Sequence, residues 1–197
     1  MSEIYIALVD TPGLFASIIR KCIKQDYIHV VLSLDAELEQ AYSVGRRNPA
    51  VPFFAGFTRE NADEILGKYP HARYRVVALE CTEKQKHEIR HILTGCYKNR
   101  FSYHYSILGL PFVLFGKPFE TRHHFTCSSF AAKVLDEAGV HSFDKHYSVV
   151  TPADFSHLGK TRLVYEGLLR DYASTPAPRI AASPARTCAT IPAQAVA

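Results

Sequence analysis

Residues 123–140 read HHFTCSSFAAKVLDEAGV and contain the clearest helical pattern of the chain. The apolar positions recur at helical spacing, and Gly139 is a typical residue just beyond a helix end. These positions are Phe130, Val134, Leu135 and Ala138. The pattern predicts a helix over residues 127–138 that begins at Cys127, on or near its inward face.

A cysteine at a helix start has unusual chemistry. The helix N-terminus carries about half a positive charge and unpaired amide donors. In such settings the thiol pKa can fall from about 8.5 to between roughly 3.5 and 7.5. The same amides can hold an oxyanion, which is worth on the order of 3–4 kcal/mol per donor. Cys127 is therefore a candidate nucleophile; the alternative is a buried cysteine that acts as a small apolar residue.

The other cysteines have simpler interpretations. The chain has five cysteines, an odd number without paired spacing, so neither a disulfide framework nor a CxxC zinc site is indicated. Cys22 and Cys96 fall on apolar helix faces, Cys81 ends a strand, and Cys188 lies in the C-terminal tail. Packing or an unstructured environment explains all four.

A thiolate nucleophile needs a nearby base, most often histidine. Among the ten histidines, His29 stands at the head of the strongest strand pattern, IHVVLSL over residues 28–34. A rigid strand can aim its imidazole ring, which makes His29 the candidate partner of Cys127. A histidine with a purely structural role is the alternative.

Mixed, unevenly ordered strands and helices predict the α+β class. The predicted strands cover residues 3–9, 28–34, 39–45, 73–81 and 161–169. The predicted helices cover residues 14–25, 58–69, 82–97 and 127–138, with another helical turn from Thr151. Residues 46–57 are predicted to be an irregular connection and residues 101–119 an aromatic loop. One domain is expected over residues 1–172, followed by an Ala-, Pro- and Ser-rich tail over 173–197 that is expected to be disordered.

The order of these motifs resembles a known family. A histidine strand followed by a hairpin is similar to the NlpC/P60 papain-like hydrolases, and here FTCSSFAAKVLDEAG follows that strand instead of preceding it. This order resembles the circularly permuted branch of the family, which is YiiX-like and related to LRAT. The resemblance covers roughly residues 3–170 and includes AYSVGRRNP and Thr151-Pro152. It implies an antiparallel sheet or small barrel packed on helices, with Cys127 as the nucleophile and His29 as the base.

The family also uses a third, polar residue on the next strand to orient the imidazole. Gln40, Tyr42 and Ser43 are the candidates on the predicted return strand, and the length of the preceding loop decides between them. A four-residue loop pairs Ser33 with Tyr42 and places Tyr42 on the histidine side. We therefore expect Tyr42 to be the third residue.

A second motif, His-Glu-Ile-Arg-His over residues 87–91, matches the HExxH pattern of zinc proteases. On a helical wheel, His87 and His91 point away from the apolar stripe that contains Ile89 and Leu93. Their neighbours are cationic, which is typical of a solvated face. His123, His124 and Cys127 lack a fourth ligand for zinc. We expect no metal and no cofactor.

Charge and hydropathy limit the partners and the compartment. The net charge is +4 with scattered basic residues, so no nucleic-acid partner is expected. The first residues read as a strand, not a signal peptide, and the cytoplasm is the expected compartment. The apolar loop is too short to span a bilayer and is expected to form core and cleft wall near the nucleophile. A peripheral membrane contact through residues 105–116 is the further option.

The resemblance therefore predicts a thiol hydrolase or acyltransferase that works through a Cys127 acyl-enzyme. Its substrate would be a small peptide or a lipid-like acyl compound with an amide, ester or thioester carbonyl. The alternative is a binding module that keeps the fold without a competent triad.

Overall fold

The computed structural model describes residues 1–11, 25–47 and 55–174 of the chain. Its strands are β1 (Ser2–Asp10), β2 (His29–Ser33), β3 (Ala41–Arg46), β4 (Ala55–Arg59), β5 (Arg73–Cys81), β6 (His104–Tyr105), β7 (His124–Phe125) and β8 (Thr161–Leu168). Its helices are α1 (Ala62–Lys68), α2 (Glu83–Lys98), α3 (Leu110–Leu114), α4 (Cys127–Glu137) and α5 (Leu169–Ser174). Three 3₁₀ turns lie at Arg100–Ser102, Tyr147–Val149 and Pro152–His157.

All eight strands form one open sheet in the order β7-β6-β4-β3-β2-β1-β5-β8. Neighbouring strands are antiparallel, except for β6 and β7, which run parallel. In central β1, residues 4–9 are all buried, as expected for a strand covered on both faces. The protein is thus a mixed α+β structure, as its sequence predicts.

Each face of the sheet carries its own core. On one face, α2 and α4 pack against Ile6, Leu32 and Phe57. On the opposite face, α1 and α5 pack against residues such as Val31 and Tyr74. This division matters for the site, because neighbouring residues of one strand serve different cores.

Several predicted elements are confirmed. The strand over 73–81 is β5, and α2 begins at a capping box formed by Thr82 and Gln85. The helix predicted over 127–138 is α4, whose end is followed by Gly139 with a φ of 64°. A backbone in this left-handed region favours glycine.

The predicted helix over 58–69 is wrong in its first turn. Thr58 belongs to β4, and Asn61 instead caps α1 by accepting the amide of Glu64 at 3.0 Å. The connection predicted over 46–57 also contains strand residues, because β3 extends to Arg46 and β4 begins at Ala55. Nonlocal pairing between β3 and β4 places Thr58 in a strand and outweighs the local helical preference of this segment.

Other predictions meet different outcomes. The aromatic loop over 101–119 contains β6 and α3, and the expectation that its apolar segment forms core is wrong, because residues such as Leu108 and Phe115 are exposed. The sequence did not predict α5. The predicted helix over 14–25 lies outside the described residues except for Gln25. The predicted tail lies outside them beyond Ser174.

The connection from β2 to β3 is one residue longer than expected. The Asp35 carboxylate accepts the amides of Glu39 and Gln40 at 2.7 and 2.9 Å, and Leu38 adopts a φ of 59°. Leu34 then pairs with Gln40, its amide donating to the Gln40 carbonyl at 3.2 Å. The structure therefore pairs Ser33 with Ala41, and the predicted pairing of Ser33 with Tyr42 is wrong.

In the part of the chain that the structure describes, no helix combines the length and apolar character needed to cross a membrane.

Candidate active site

Cys127 occupies the first position of α4, and several contacts fix this helix start. Thr126 and Ser129 form a capping box, in which each side chain accepts the other residue's backbone amide. The Ser128 hydroxyl donates to the Val150 carbonyl at 2.6 Å. Farther along, Phe130 packs edge-on against Phe57 of β4 with ring centres 5.2 Å apart. The helix start is thus held against the sheet.

The Cys127 sulfur lies close to the beginning of β2, 3.9 Å from the Ile28 carbonyl oxygen. The residue is 4% exposed. Burial raises the pKa of its thiol, but the charge and hydrogen bond of His29, together with the Val30 and Ser128 amides, outweigh burial and lower it. These groups all stabilise a thiolate at this position.

His29 lies between Cys127 and the carboxylate of Glu60. Burial would lower the pKa of its imidazole, yet the Cys127 thiolate and the Glu60 carboxylate raise that pKa above its ordinary value. Nε2 of His29 lies 3.1 Å from Oε1 of Glu60. Since Glu60 engages Nε2, the nitrogen left for the Cys127 sulfur is Nδ1.

Glu60 lies immediately after β4, where its amide donates to the Ala41 carbonyl at 2.8 Å. The carboxylate also accepts a hydrogen bond from the Ser43 hydroxyl. Burial would raise its pKa, but the contacts with His29 and then Ser43 lower it. Glu60 is therefore an anion fixed between His29 and Ser43, and its side chain is 18% exposed.

Glu60 also borders a small cavity that is lined mainly by apolar residues. A cavity of about 10 Å³ is lined by Glu60 and by residues that include Val31, Ile65 and Tyr74. Burial and the charge of Glu60 raise the pKa of Tyr74 well above its ordinary value. Apolar neighbours strengthen the attraction between Glu60 and a charged His29, since charges interact more strongly where water is scarce.

Gly45 of β3 provides the space for the imidazole. A Cβ atom at Gly45 would lie 3.1 Å from Cε1 of His29, which is a tight contact. A larger residue here would push the ring away from its partners.

Of the three predicted site residues, the structure brings two together. Cys127 and His29 lie close enough for each to shift the pKa of the other. Tyr42 pairs with Leu32, and its ring stacks on Phe57 with centres 5.8 Å apart. The one-residue change of register moves Tyr42 to the opposite face of the sheet, so the position next to His29 is taken by Glu60 and Ser43.

Sequence reasoning missed Glu60 because residues 58–69 were interpreted as a helix. One signal was present: AGFTRE over residues 55–60 alternates in the manner of a strand, and Asn61 is a strong helix cap. Reading Asn61 as the cap leaves Glu60 at the end of a strand, in position to meet its neighbours across the sheet.

The other histidine motifs lie apart from this cluster. His87, Glu88 and His91 are exposed on α2, opposite the buried Ile89 and Leu93, as the helical wheel predicted. The His124 ring lies beside that of His104, with ring centres 5.1 Å apart. Among the described residues, no group of three His, Cys, Asp or Glu side chains is arranged to hold a metal ion.

The cluster brings together a thiol with a lowered pKa, an imidazole with a raised pKa and a carboxylate with a lowered pKa. Comparison with protein-family models, curated proteins and solved structures found no significant match to this chain.

We expect Glu60→Gln to lower the pKa of His29, because the amide keeps the hydrogen bond but removes the negative charge that favours the imidazolium. Tyr42→Phe should leave this pKa unchanged, since Tyr42 stacks on Phe57 on the other face. NMR titration of the His29 imidazole measures both. A shift in Tyr42→Phe and none in Glu60→Gln would contradict the assignment of Glu60.

Proposed function

We propose that this protein is a thiol hydrolase or acyltransferase in which Cys127 attacks the carbonyl carbon of an amide, ester or thioester. The observation that carries the proposal is the chain of contacts from Cys127 through His29 to Glu60. Along these contacts, the pKa of the Cys127 thiol is lowered and the pKa of the His29 imidazole is raised. The thiolate–imidazolium pair is therefore expected at pH values above the lowered pKa of Cys127 and below the raised pKa of His29.

The positions of these groups support the following reaction. The Cys127 thiolate forms a bond to the carbonyl carbon, and the carbonyl oxygen becomes an oxyanion. The Cys127 amide, the first donor of α4 outside its capping box, is the candidate to stabilise that oxyanion. His29 gives its proton to the leaving amine, alcohol or thiol, which departs and leaves a thioester on Cys127.

The second half of the reaction regenerates the thiolate. Neutral His29 takes a proton from water, or from an acceptor alcohol or amine, as that group attacks the thioester. The acyl group leaves as an acid, ester or amide, and the sulfur is released as the thiolate beside a protonated His29. Glu60 is a positioning residue here: it holds the imidazole and favours its charged form in both halves.

We further propose that the fold is a circularly permuted papain-like fold. The histidine strand β2 precedes the cysteine helix α4 in the chain, and α4 packs on the same antiparallel sheet. The alternative, a binding module without a competent triad, is motivated by the lack of an obvious third residue in the sequence. Glu60 removes that motivation, since it contacts His29 at 3.1 Å.

The test is to trap the acyl-enzyme. Purified protein is mixed with activated thioester, ester and peptide amide donors, quenched in acid, and mapped by mass spectrometry. We expect an acyl mass on the peptide that contains Cys127, slower formation in His29→Ala and none on Cys127 in Cys127→Ala.

Two buried cysteines are internal controls in the same digest. Burial raises the pKa of Cys81 and Cys96, so these thiols should remain unacylated. Acylation of Cys127 no faster than that of Cys81 would refute the proposed function and favour the binding module.

A further inference from the structure

The segment from Ile107 to Phe115 presents large apolar side chains to solvent. Leu108 and Phe115 are 76% and 77% exposed, and Ile107, Phe112 and Leu114 are exposed as well. Folded proteins seldom leave such a concentration of apolar groups uncovered without a binding role. This set of five residues is called the apolar ridge below.

The apolar ridge is held in a defined shape. Phe112 stacks on Phe119 with ring centres 4.6 Å apart, and the Lys117 amide donates to the Phe112 carbonyl at 2.9 Å. The Phe119 amide in turn donates to the Ser148 hydroxyl at 3.2 Å. The exposed side chains therefore project from an anchored turn of chain.

The apolar ridge begins beside the strand that leads into the candidate active site. β6 and β7 run parallel, with Tyr105 opposite Phe125, and the Ser106 amide donates to the Phe125 carbonyl at 2.9 Å. Cys127 follows Phe125 by two residues. The chain therefore leaves β6 toward the apolar ridge next to the residues that precede the start of α4.

The chain segment that contains the apolar ridge is mainly positively charged. Residues 97–124 contain the cations Lys98, Arg100, Lys117 and Arg122 and a single acid, Glu120. The acid is itself engaged, by the Tyr147 hydroxyl and by His146 at 3.9 Å. Apolar side chains with flanking cations complement a surface that is apolar inside and anionic outside.

We propose that the apolar ridge docks this protein on the surface of an anionic lipid bilayer. The apolar side chains enter the boundary between headgroups and acyl chains, and Lys117 and Arg122 contact anionic headgroups. α3 has only five residues, so the segment lies in the interface and does not span the bilayer. If the proposed thiol chemistry holds, docking favours an acyl ester of a lipid as the substrate.

Co-sedimentation with vesicles tests docking without requiring any turnover. Full-length protein is mixed with vesicles of phosphatidylcholine alone or with roughly one third phosphatidylserine. We expect binding to the anionic vesicles to exceed binding to the neutral ones several-fold. The double variant Leu108→Glu, Phe115→Glu should lose at least about tenfold in binding, because each change removes apolar contact and adds repulsion.

Two further variants separate the contributions. Lys117→Gln should weaken binding to anionic vesicles by roughly fivefold and leave neutral vesicles unaffected. Leu163→Glu is the matched control, since Leu163 is also an exposed apolar residue but lies on β8 at the opposite edge of the sheet. It should bind like the unaltered protein.

Docking is overturned if the protein binds anionic vesicles no better than the double variant, or if Leu163→Glu loses as much binding. A dimer that forms without lipid and disappears in the double variant would assign the apolar ridge to a second copy and also overturn it. None of these outcomes bears on acylation of Cys127, so docking and the thiol chemistry fail separately.

Discussion

Replacing Cys127 with alanine is expected to reduce turnover of small thioester and ester substrates by at least roughly 10⁴-fold. In the proposed mechanism the substitution removes the attacking atom, so neither His29 nor the helix-start amide would have an intermediate to act upon. Steady-state assays of purified protein measure the effect, and the thermal midpoint should stay close to that of the unaltered protein.

The control for this result is Cys81→Ala. Cys81 is another buried free thiol, but it lies at the end of β5 and has a pKa raised by burial. It should keep nearly full turnover. If Cys127→Ala retained more than about a tenth of the activity, covalent catalysis by Cys127 would be excluded.

Replacing Phe57 with alanine is expected to lower the free energy of unfolding by about 3–5 kcal/mol. Phe57 is fully buried and contacts the rings of Tyr42, Tyr103 and Phe130. It therefore joins β4, which leads to Glu60, with α4, which carries Cys127. Urea denaturation monitored by circular dichroism measures the change.

Phe115→Ala is the matched control, since it removes the same atoms from a side chain that is 77% exposed. Its effect should stay within about 0.5 kcal/mol. A loss below about 1 kcal/mol in Phe57→Ala would mean that this contact does not hold the two halves of the site together.

The parts of the site that the sequence predicted rest on local patterns. Cys127 was identified from helical periodicity and the helix start, and His29 from a run of β-branched residues. Such local patterns are reliable here because the spacing of the apolar residues matches the helix or strand that each segment forms. That these two side chains meet came from the resemblance, since no local pattern encodes a contact between residues so far apart in the chain.

The positions of Glu60 and Tyr42 depend on strand pairing, which local sequence patterns do not determine. Tyr42 was assigned from an assumed loop length, and the Asp35 carboxylate changes that length by holding the Glu39 and Gln40 amides. A shift of one residue reverses the face of every side chain in β3. Glu60 reaches His29 only because β4 pairs with β3, and this pairing is a property of the sheet.

In the proposed mechanism, His29 and Glu60 hold Cys127 as a thiolate. The ultraviolet absorbance of this thiolate can be followed across pH, as the difference between the unaltered protein and Cys127→Ala. We expect the Cys127 thiolate to form well below the ordinary thiol pKa of about 8.5, and His29→Ala to move its formation to higher pH. A thiolate that formed only above about pH 8.5, or that formed at the same pH in His29→Ala, would contradict this mechanism.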